Sequence, residues 1–258
     1  AGHLALPNCD GFQFTRHPVT AWVTSLAAMN GGDDYNMNVY DDYTGSQAGF
    51  SHICKSSTQV GNAVDFVVGS AAGTPTTVFP AAVRQSIGGG GGVYTIDQSD
   101  ASWKKTPDGN AYWFRQPLRD RLADIYEGYF TAGQTVFFTV QRTNGPRTTM
   151  LGLAVFPSTP GYYSRAEAIA TAQALGNDTW YLAFTAPATG WYPVVVHRLT
   201  GTDAQLPLEY NLFWGNQVSA VIDDNGNRPA TGFAGATPNP VLATTRLVFT
   251  LREAAPVT

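Results

Sequence analysis

Polar and apolar residues alternate in several short stretches of this sequence. Residues 36–40 read Asn-Met-Asn-Val-Tyr, and residues 179–184 alternate in the same way, though less strictly. Side chains two residues apart lie on one face of a strand, so this period predicts half-buried β-strands. Clusters of Gly, Pro, Asn and Thr separate such stretches at intervals of roughly 8–20 residues, a spacing typical of sandwiches and jelly rolls. The pattern therefore predicts an all-β fold.

Three segments depart from the alternating pattern. Residues 165–175 predict a helix, with Ser164 placed to cap its first turn and Gly176 placed to end it. Residues 117–126 are a second helical candidate, and they also have to link the two halves of the chain described next. The glycine run 88–92 predicts a hairpin tip or a flexible turn, because glycine weakens a strand interior.

The sequence contains an internal repeat. The block Gly-Asn-Ala-Val-Asp-Phe that begins at Gly61 returns as Gly-Asn-Asp-Thr-Trp-Tyr at Gly176. Four further blocks recur in the same order at an offset of about 115 residues, a period far longer than one supersecondary unit. Five blocks in one order at nearly one offset indicate a duplication.

The repeat predicts two tandem jelly-roll-like β-sandwich domains that superpose along the aligned strands. Phe79 is expected to be equivalent to Tyr192, and Trp22 to Phe137. The predicted domains are residues 1–118 and residues 119–258.

An additional segment follows the second repeat. Residues 243–251 alternate small or polar with bulky side chains, and their β-branched content predicts a strand. Pro238 and Pro240 make the approach to it extended. Its backbone needs hydrogen-bond partners, and we expect it to pair with the edge of the second sandwich, beside that domain's opening strand. The alternative is pairing with a sheet edge of another chain, which would make the protein polymerise.

Residues 184–196 form the most distinctive block of the second repeat, Phe-Thr-Ala-Pro-Ala-Thr-Gly-Trp-Tyr-Pro-Val-Val-Val. With the blocks 130–136, 151–156 and 210–212, this run resembles the bacterial pre-peptidase C-terminal domain. The resemblance covers residues 122–214, and more loosely residues 10–102. It implies a non-catalytic, jelly-roll-like sandwich of the kind appended to secreted enzymes, some of which bind polymers or calcium.

The two repeats differ at the strand that is acidic in that family. The first repeat reads Asp-Tyr-Asn-Met from Asp34, whereas the second reads Thr-Met-Leu from Thr149. A role for carboxylates on this strand is therefore not expected in the second repeat.

Composition limits the partners. Charged residues make up 13% of the chain and the formal net charge is −4. No stripe of Lys and Arg is present to neutralise phosphates, which argues against nucleic acid. The longest apolar run is far shorter than the roughly 18 residues that a membrane-spanning helix requires. The first residues lack the basic and apolar regions of a signal peptide, so we expect a secreted protein whose signal has been removed.

The chain has two cysteines, Cys9 and Cys54. Neither belongs to a Cys-x-x-Cys pair, and no spacing resembles a zinc site. In a secreted protein this predicts one disulfide that ties the N-terminal segment to the first repeat. The alternative is two buried thiols.

Two clusters of oxygen-bearing side chains are candidate calcium sites, because Ca²⁺ prefers six to eight hard oxygen ligands. The first cluster flanks one short strand and consists of Asp33, Asp34, Asp41 and Asp42. The second is a turn that lacks the glutamate of an EF-hand loop, and it contains Asp223, Asp224, Asn225 and Asn227. The alternative is solvated carboxylates at strand ends and ordinary turn chemistry. No other cofactor is predicted.

Aromatic residues in the region between the repeats are candidates for a ligand-stacking platform. They are Trp103, Tyr112 and Trp113. The alternative is that Trp103 and Trp113 fill the interface between the two copies.

No residue is assigned a catalytic role. The sequence has no Gly-x-Ser-x-Gly elbow, no His-Glu-x-x-His zinc motif and no phosphate-binding glycine loop. The first functional hypothesis is therefore a non-catalytic extracellular binding or accessory protein that recognises a polymer or a protein surface. The second is a structural subunit of an extracellular filament or surface assembly, and the third is a secreted hydrolase.

Overall fold

A computed structural model describes residues 2–6, 9–41, 53–70, 74–86, 92–107, 110–118, 121–174, 178–202, 204, 206–216, 231–237 and 246–251. In these ranges the chain is almost entirely β-structure, which confirms the all-β fold. Among the described residues, no helix has the length and apolar character needed to cross a bilayer.

The strands within the described ranges are short, as the turn spacing predicts. In chain order they are β1 Gly2–Leu6, β2 Cys9–Thr15, β3 Trp22–Ala28, β4 Asp34–Tyr40, β5 Ile53–Ser57, β6 Asp65–Gly69, β7 Thr77–Ser86, β8 Tyr94–Asp100, β9 Lys105–Thr106, β10 Ala111–Pro117, β11 Ala123–Phe130, β12 Thr135–Asn144, β13 Leu151–Val155, β14 Tyr162–Ser164, β15 Ala170–Thr171, β16 Gln173–Ala174, β17 Thr179–Thr185, β18 Gly190–Arg198, β19 Glu209–Gly215, β20 Thr231–Thr237 and β21 Arg246–Leu251.

Four sheets, numbered here in stacking order, contain most of these strands. Sheet 1 has the order β1-β2-β7-β4-β5, and sheet 2 has the order β14-β6-β3-β8. Sheet 3 has the order β15-β13-β18-β11-β9, and sheet 4 has the order β10-β19-β12-β17-β16. Nearly all neighbouring strands are antiparallel, but β9 pairs with β11 in parallel.

The sheets pack face to face. Tyr35 of sheet 1 lies 4.8 Å from the Tyr94 ring of sheet 2, and Phe66 of sheet 2 lies 5.9 Å from the Phe156 ring that follows a strand of sheet 3. Sheets 3 and 4 enclose a second core. The middle sheets are thus covered on both faces, which explains why every residue of β3, β6 and β13 is buried rather than every other one.

Both halves of the chain have the same strand order. In sheet 1 the order β2-β7-β4-β5 corresponds to β11-β18-β13-β15 in sheet 3, and β6-β3-β8 corresponds to β17-β12-β19. Phe79 and Tyr192 lie on corresponding strands, β7 and β18, and Trp22 and Phe137 lie on β3 and β12. The division into two domains stays a prediction.

Three strands cross the predicted boundary at residue 118. β9 and β10 precede it but pair with β11 in sheet 3 and with β19 in sheet 4, and β14 follows it but pairs with β6 in sheet 2. Each half therefore supplies at least one strand to a sheet made mainly by the other half. The two halves are joined by backbone hydrogen bonds as well as by packing.

Both helical expectations are wrong. Residues 165–175 contain a single 3-10 turn, Arg165–Glu167, followed by β15 and β16, which pair with β13 and β17. Among the described residues of the range 117–126, Pro117 ends β10 and residues 123–126 begin β11. A helix of about 11 residues is marginal in water, so the sheet edges that accept these segments decide the outcome.

The expected C-terminal strand forms over Arg246–Leu251, but its partner differs from the one expected. It pairs antiparallel with β20, in a separate two-stranded sheet, rather than with the opening strand of the second repeat. The segment between Tyr210 and β21 thus contains a strand of its own, which is the nearest partner along the chain.

Candidate functional site

The outer face of sheet 4 carries aromatic side chains from four neighbouring strands. Alternate residues of each strand point into the core, which leaves the others on the outside. Those outward residues include Tyr112 and Phe114 of β10, Phe213 of β19, Phe137 of β12 and Tyr181 of β17. We call these five residues the aromatic face.

The most exposed part of the aromatic face is the pair on β10. Tyr112 and Phe114 are each 41% exposed, and their rings are stacked with centroids 6.1 Å apart and planes 16° apart. Phe213 supports the pair from the next strand, 4.5 Å from the Tyr112 ring. The pair thus presents a flat apolar strip to solvent on a rigid sheet.

A β-bulge after Trp113 fixes the end of this strip. Arg115 has a φ of 45°, a conformation that non-glycine residues rarely adopt, and its N–H donates to Asn211 Oδ1 at 2.9 Å. Asn211 is buried on β19, so it holds the strained backbone in place. Such strain persists only where the surrounding structure over-determines it, and it is common at binding sites.

The three aromatic residues that the sequence singles out lie in different environments. Trp113 points inward and packs against Tyr126 and Trp214, each with a ring distance of 4.6 Å. Trp103 is 63% exposed and lies against the ammonium group of Lys104. Only Tyr112 belongs to the aromatic face. Trp113 is partly buried and packs against the core of the second half.

A buried polar cluster joins side chains from sheets 2, 3 and 4. Asp124 of β11 forms an ion pair with Lys104, and both side chains are almost fully buried. The Ser99 hydroxyl of β8 donates to Asp124 Oδ1 at 2.7 Å, and the Tyr210 hydroxyl donates to Oδ2 at 3.1 Å. Tyr126 completes the set, with its hydroxyl 2.6 Å from that of Tyr210. The cluster joins β8 of the first half to β11 and β19 of the second.

A second buried carboxylate crosses the same junction. Asp97 of β8 accepts a hydrogen bond from the Ser25 hydroxyl and another from the Leu122 N–H at 2.6 Å. Burial raises the pKa of Asp97 to about 6. Asp97 thus ties the first half directly to the residue that precedes β11.

The first candidate calcium cluster is not brought together. Asp34 begins β4 and Asp41 follows its end, so a strand about 20 Å long separates them. Asp33 is buried, and its Oδ2 accepts a hydrogen bond from the Gly92 N–H at 3.2 Å. No group of three or more His, Cys, Asp or Glu side chains that could hold a metal occurs in the part of the chain that the structure describes.

The remaining calcium candidates lie outside the described residues. They are Asp42 of the first cluster and Asp223, Asp224, Asn225 and Asn227 of the second. Calcium binding at these positions stays a prediction.

Asp65 is a buried carboxylate that the sequence analysis did not select. Its Oδ1 accepts hydrogen bonds from the Ser57 hydroxyl at 2.7 Å and the Gln59 N–H at 2.8 Å. Its Oδ2 has no hydrogen-bond partner among the described residues. Burial raises the pKa of Asp65 to about 7, and the nearby Asp34 acts in the same direction, against the two hydrogen bonds and Arg165.

We expect Asp65 to make the protein less stable as the pH rises towards 7. Its pKa is about 7 when folded and about 3.9 when unfolded, so between these values only the folded state holds the proton. The free energy of unfolding then falls with rising pH, by at most about 2–3 kcal/mol between pH 5 and pH 8. Urea unfolding of the wild type and of Asp65→Asn across this range measures the effect.

The difference between the two proteins isolates Asp65. Burial also raises the pKa of Asp97 and lowers the pKa of His197 to about 3. Both residues are present in the wild type and in Asp65→Asn. The wild type should lose stability more steeply than Asp65→Asn as the pH rises. Parallel curves would contradict the assignment.

The strand order argues against the predicted disulfide. Cys9 begins β2 and Cys54 lies on β5, and both β7 and β4 lie between these strands in sheet 1. Three strand spacings are about 14 Å, whereas a disulfide requires Cα atoms within about 7 Å. The described part of the chain contains no disulfide, and the side chain of Cys9 lies outside it.

Sequence reasoning missed Phe114 and the Lys104–Asp124 pair. Phe114 lies two residues from Tyr112, so the period of a strand would have selected it in place of Trp113. Lys104 and Asp124 are 20 positions apart in sequence and meet only because β9 pairs with β11. No sequence signal reports that pairing.

The fold defines an all-β protein of stacked, mainly antiparallel sheets. No model of a known protein family matches the sequence, and no curated protein matches it. Among solved structures, it is similar to the pre-peptidase C-terminal domain of collagenase from Bacillus anthracis, with 13% identity over 43% of this chain and 93% of that chain and a TM-score of 0.35.

Two further solved structures show weaker similarity. PliG from Aeromonas hydrophila, a periplasmic lysozyme inhibitor of g-type lysozyme, is 20% identical over 43% of this chain and 96% of that chain, with a TM-score of 0.29. The VP2 subviral particle of infectious bursal disease virus is 11% identical over 76% of this chain and 56% of that chain, with a TM-score of 0.21.

Proposed function

We propose that this chain is a non-catalytic, extracellular binding or accessory protein that recognises a polymer through the aromatic face of sheet 4. The observation that carries the proposal is the exposed, stacked pair Tyr112 and Phe114, held flat on an edge strand. Aromatic rings supply a large apolar contact at low cost in conformational entropy, so exposed pairs are suited to binding surfaces.

The surroundings favour an uncharged polymer, such as a polysaccharide. Three of the outward residues that accompany the five aromatic rings are uncharged, namely Thr139, Gln141 and Asn211. Hydroxyl and amide groups hydrogen-bond to sugar hydroxyls, while aromatic rings stack on the apolar faces of sugars. Two charged residues, Arg115 and Glu209, lie at the end of the strip beyond Phe114.

The buried polar groups support a non-catalytic role. Asp65, Asp97 and Asp124 are each held by hydrogen bonds inside or between sheets, and they bond to structural neighbours rather than lining an open cleft. Perturbed pKa values occur in structural networks as well as in active sites. Here burial and the neighbouring hydrogen-bond donors account for the environment of these three carboxylates without a catalytic role.

We expect alanine at Tyr112 and Phe114 together to weaken polymer binding about tenfold or more, because each aromatic contact is worth about 0.5–1.5 kcal/mol beyond area burial. The measurement is the fraction of protein that sediments with insoluble cellulose or chitin, with fibrillar collagen as the protein alternative. Trp103→Ala is the matched control, because it removes an exposed aromatic ring that is not one of the five residues of the aromatic face.

The sedimentation experiment distinguishes three outcomes. Loss of polysaccharide binding in the double variant but not in Trp103→Ala supports the proposal. Binding to collagen alone would place the protein among binders of protein surfaces. Equal binding by all three proteins would overturn the role of the aromatic face.

The position of β10 favours self-assembly as the second candidate function. β10 is the terminal strand of sheet 4 among the described residues, and a terminal strand presents backbone groups that pair readily with another chain. Light scattering that shows mass rising with concentration, and a smaller rise in the double variant, would favour an assembly subunit over a polymer binder.

A further inference from the structure

Lys104 is almost fully buried although it is a lysine. Its exposed fraction is 1%, and its ammonium nitrogen lies between two aromatic rings, 4.5 Å from the Trp103 centroid and 4.6 Å from the Tyr126 centroid. Lysine is almost never fully buried unless it is paired. Here the partner is the Asp124 carboxylate, also 1% exposed, whose Oδ2 is in direct contact with Nζ.

This environment disfavours the charged ammonium form of Lys104. A buried ammonium and a buried carboxylate each lose their hydration, and moving one proton from Nζ to Oδ2 neutralises both at once. Burial lowers the pKa of Lys104 even though Asp124 acts against the shift. A neutral amine in contact with a protonated carboxyl group is the reactant pair for forming an amide.

The neighbours of Asp124 are placed to assist that reaction. The Ser99 hydroxyl donates to Oδ1, which polarises the carboxyl carbon towards attack. The Tyr210 hydroxyl donates its proton to Oδ2 of Asp124. Because the Tyr210 hydroxyl has only one proton, the Tyr126 hydroxyl must be the donor in the hydrogen bond between the two tyrosines. Burial raises the pKa of both tyrosines well above its ordinary value, so both hydroxyls keep their protons.

We propose that Lys104 and Asp124 become joined by an intramolecular amide bond. The lone pair of Nζ attacks Cγ of the protonated Asp124 carboxyl group, and the Cγ–Oδ2 bond breaks. Oδ2 leaves as water, taking up a proton released by Nζ through the Tyr210 hydroxyl, and Oδ1 becomes the amide oxygen. One water is released for each bond, and no oxidant, metal or co-reactant is required.

The bond would fasten the connector between the halves to the second half. Lys104 precedes β9, and Asp124 lies on the neighbouring strand β11, so the link reinforces the short parallel pairing of these strands. Ser99 of β8 and Tyr210 of β19 belong to the same cluster, so the link lies where strands of sheets 2, 3 and 4 meet. A covalent bond there suits an extracellular protein, which has to remain folded without chaperones.

The chain makes the test direct, because it contains only three lysines, Lys55, Lys104 and Lys105. The intact mass of the full-length denatured protein should be lower than the sequence mass by one water. Exhaustive amine labelling under denaturing conditions should modify two lysine side chains rather than three. Tryptic digestion should yield a branched peptide that joins the Lys104 and Asp124 segments.

Variants identify the residues and exclude other sources of water loss. Lys104→Arg and Asp124→Ala should each have the full sequence mass, whereas Lys105→Arg, the matched control, should keep the deficit. A deficit that persists in both of the first variants would overturn the proposal, because it would arise elsewhere, for example by cyclisation at Asp108–Gly109. A wild-type protein with its full mass and three labelled lysines overturns it without any variant.

Discussion

Replacing Trp113 with alanine is expected to lower the free energy of unfolding by about 2–3 kcal/mol, somewhat less than the cost of deleting a fully buried aromatic side chain, because the ring is partly buried. The ring packs against Tyr126 and Trp214 at 4.6 Å, at the margin of the core between sheets 3 and 4. Its removal leaves a cavity that these rings fill only partly. Denaturant unfolding followed by circular dichroism measures the change.

Trp103→Ala is the control for this prediction. Trp103 is 63% exposed, so its loss should cost about 1 kcal/mol or less, mainly through its contact with the Lys104 ammonium. The sequence pattern makes Trp103 and Trp113 candidates for the same role, whereas the structure leaves Trp103 exposed and turns Trp113 inward. Equal losses of stability in the two variants would show that the assignment of inward and outward faces on β10 is wrong.

Replacing Arg198 with methionine is expected to cost about 3–5 kcal/mol, because it leaves several buried carbonyl groups without a donor. The side chain is fully buried on β18, where Nε donates to the Arg121 carbonyl at 3.0 Å, and Nη2 donates to the carbonyls of Leu118 and Leu206 at 2.7 Å each. These bonds hold the connector between β10 and β11 against the second half. Methionine keeps much of the volume but supplies no N–H group.

Arg147→Met provides the comparison at an exposed position, where a substitution usually changes stability by no more than about 0.5 kcal/mol. Hydrogen exchange adds a local measurement, since the Arg198 N–H donates to the Leu122 carbonyl and should exchange faster if the connector loosens. A loss of stability no larger than that of Arg147→Met would mean that water replaces the guanidinium group without cost.

The short strands were predictable because their determinants are local. The alternation at residues 36–40 appears as β4, in which Tyr35, Met37 and Val39 are buried and the residues between them are partly exposed. The repeated blocks lie on strands with corresponding positions in the sheets. These features follow from side-chain period and turn composition, which the sequence displays directly.

The helical expectations failed because the deciding interactions are not local. Residues 170–174 form strands since β13 and β17 offer edges to pair with, and a sequence window does not contain those edges. The same reason explains the three strands that cross the predicted boundary. Their hydrogen-bond partners lie in the opposite half of the chain.

The sequence by itself determined the β-strand content, the repeated blocks and the absence of a strongly charged surface, because each depends on residue type and spacing alone. Only the tertiary structure decided which aromatic residues face solvent and which carboxylates are buried. Trp113 and Tyr112 are neighbours in sequence and lie on opposite faces of β10. Lys104 and Asp124 carry opposite charges that would be solvated in an extended chain, and they meet in the interior because β9 pairs with β11.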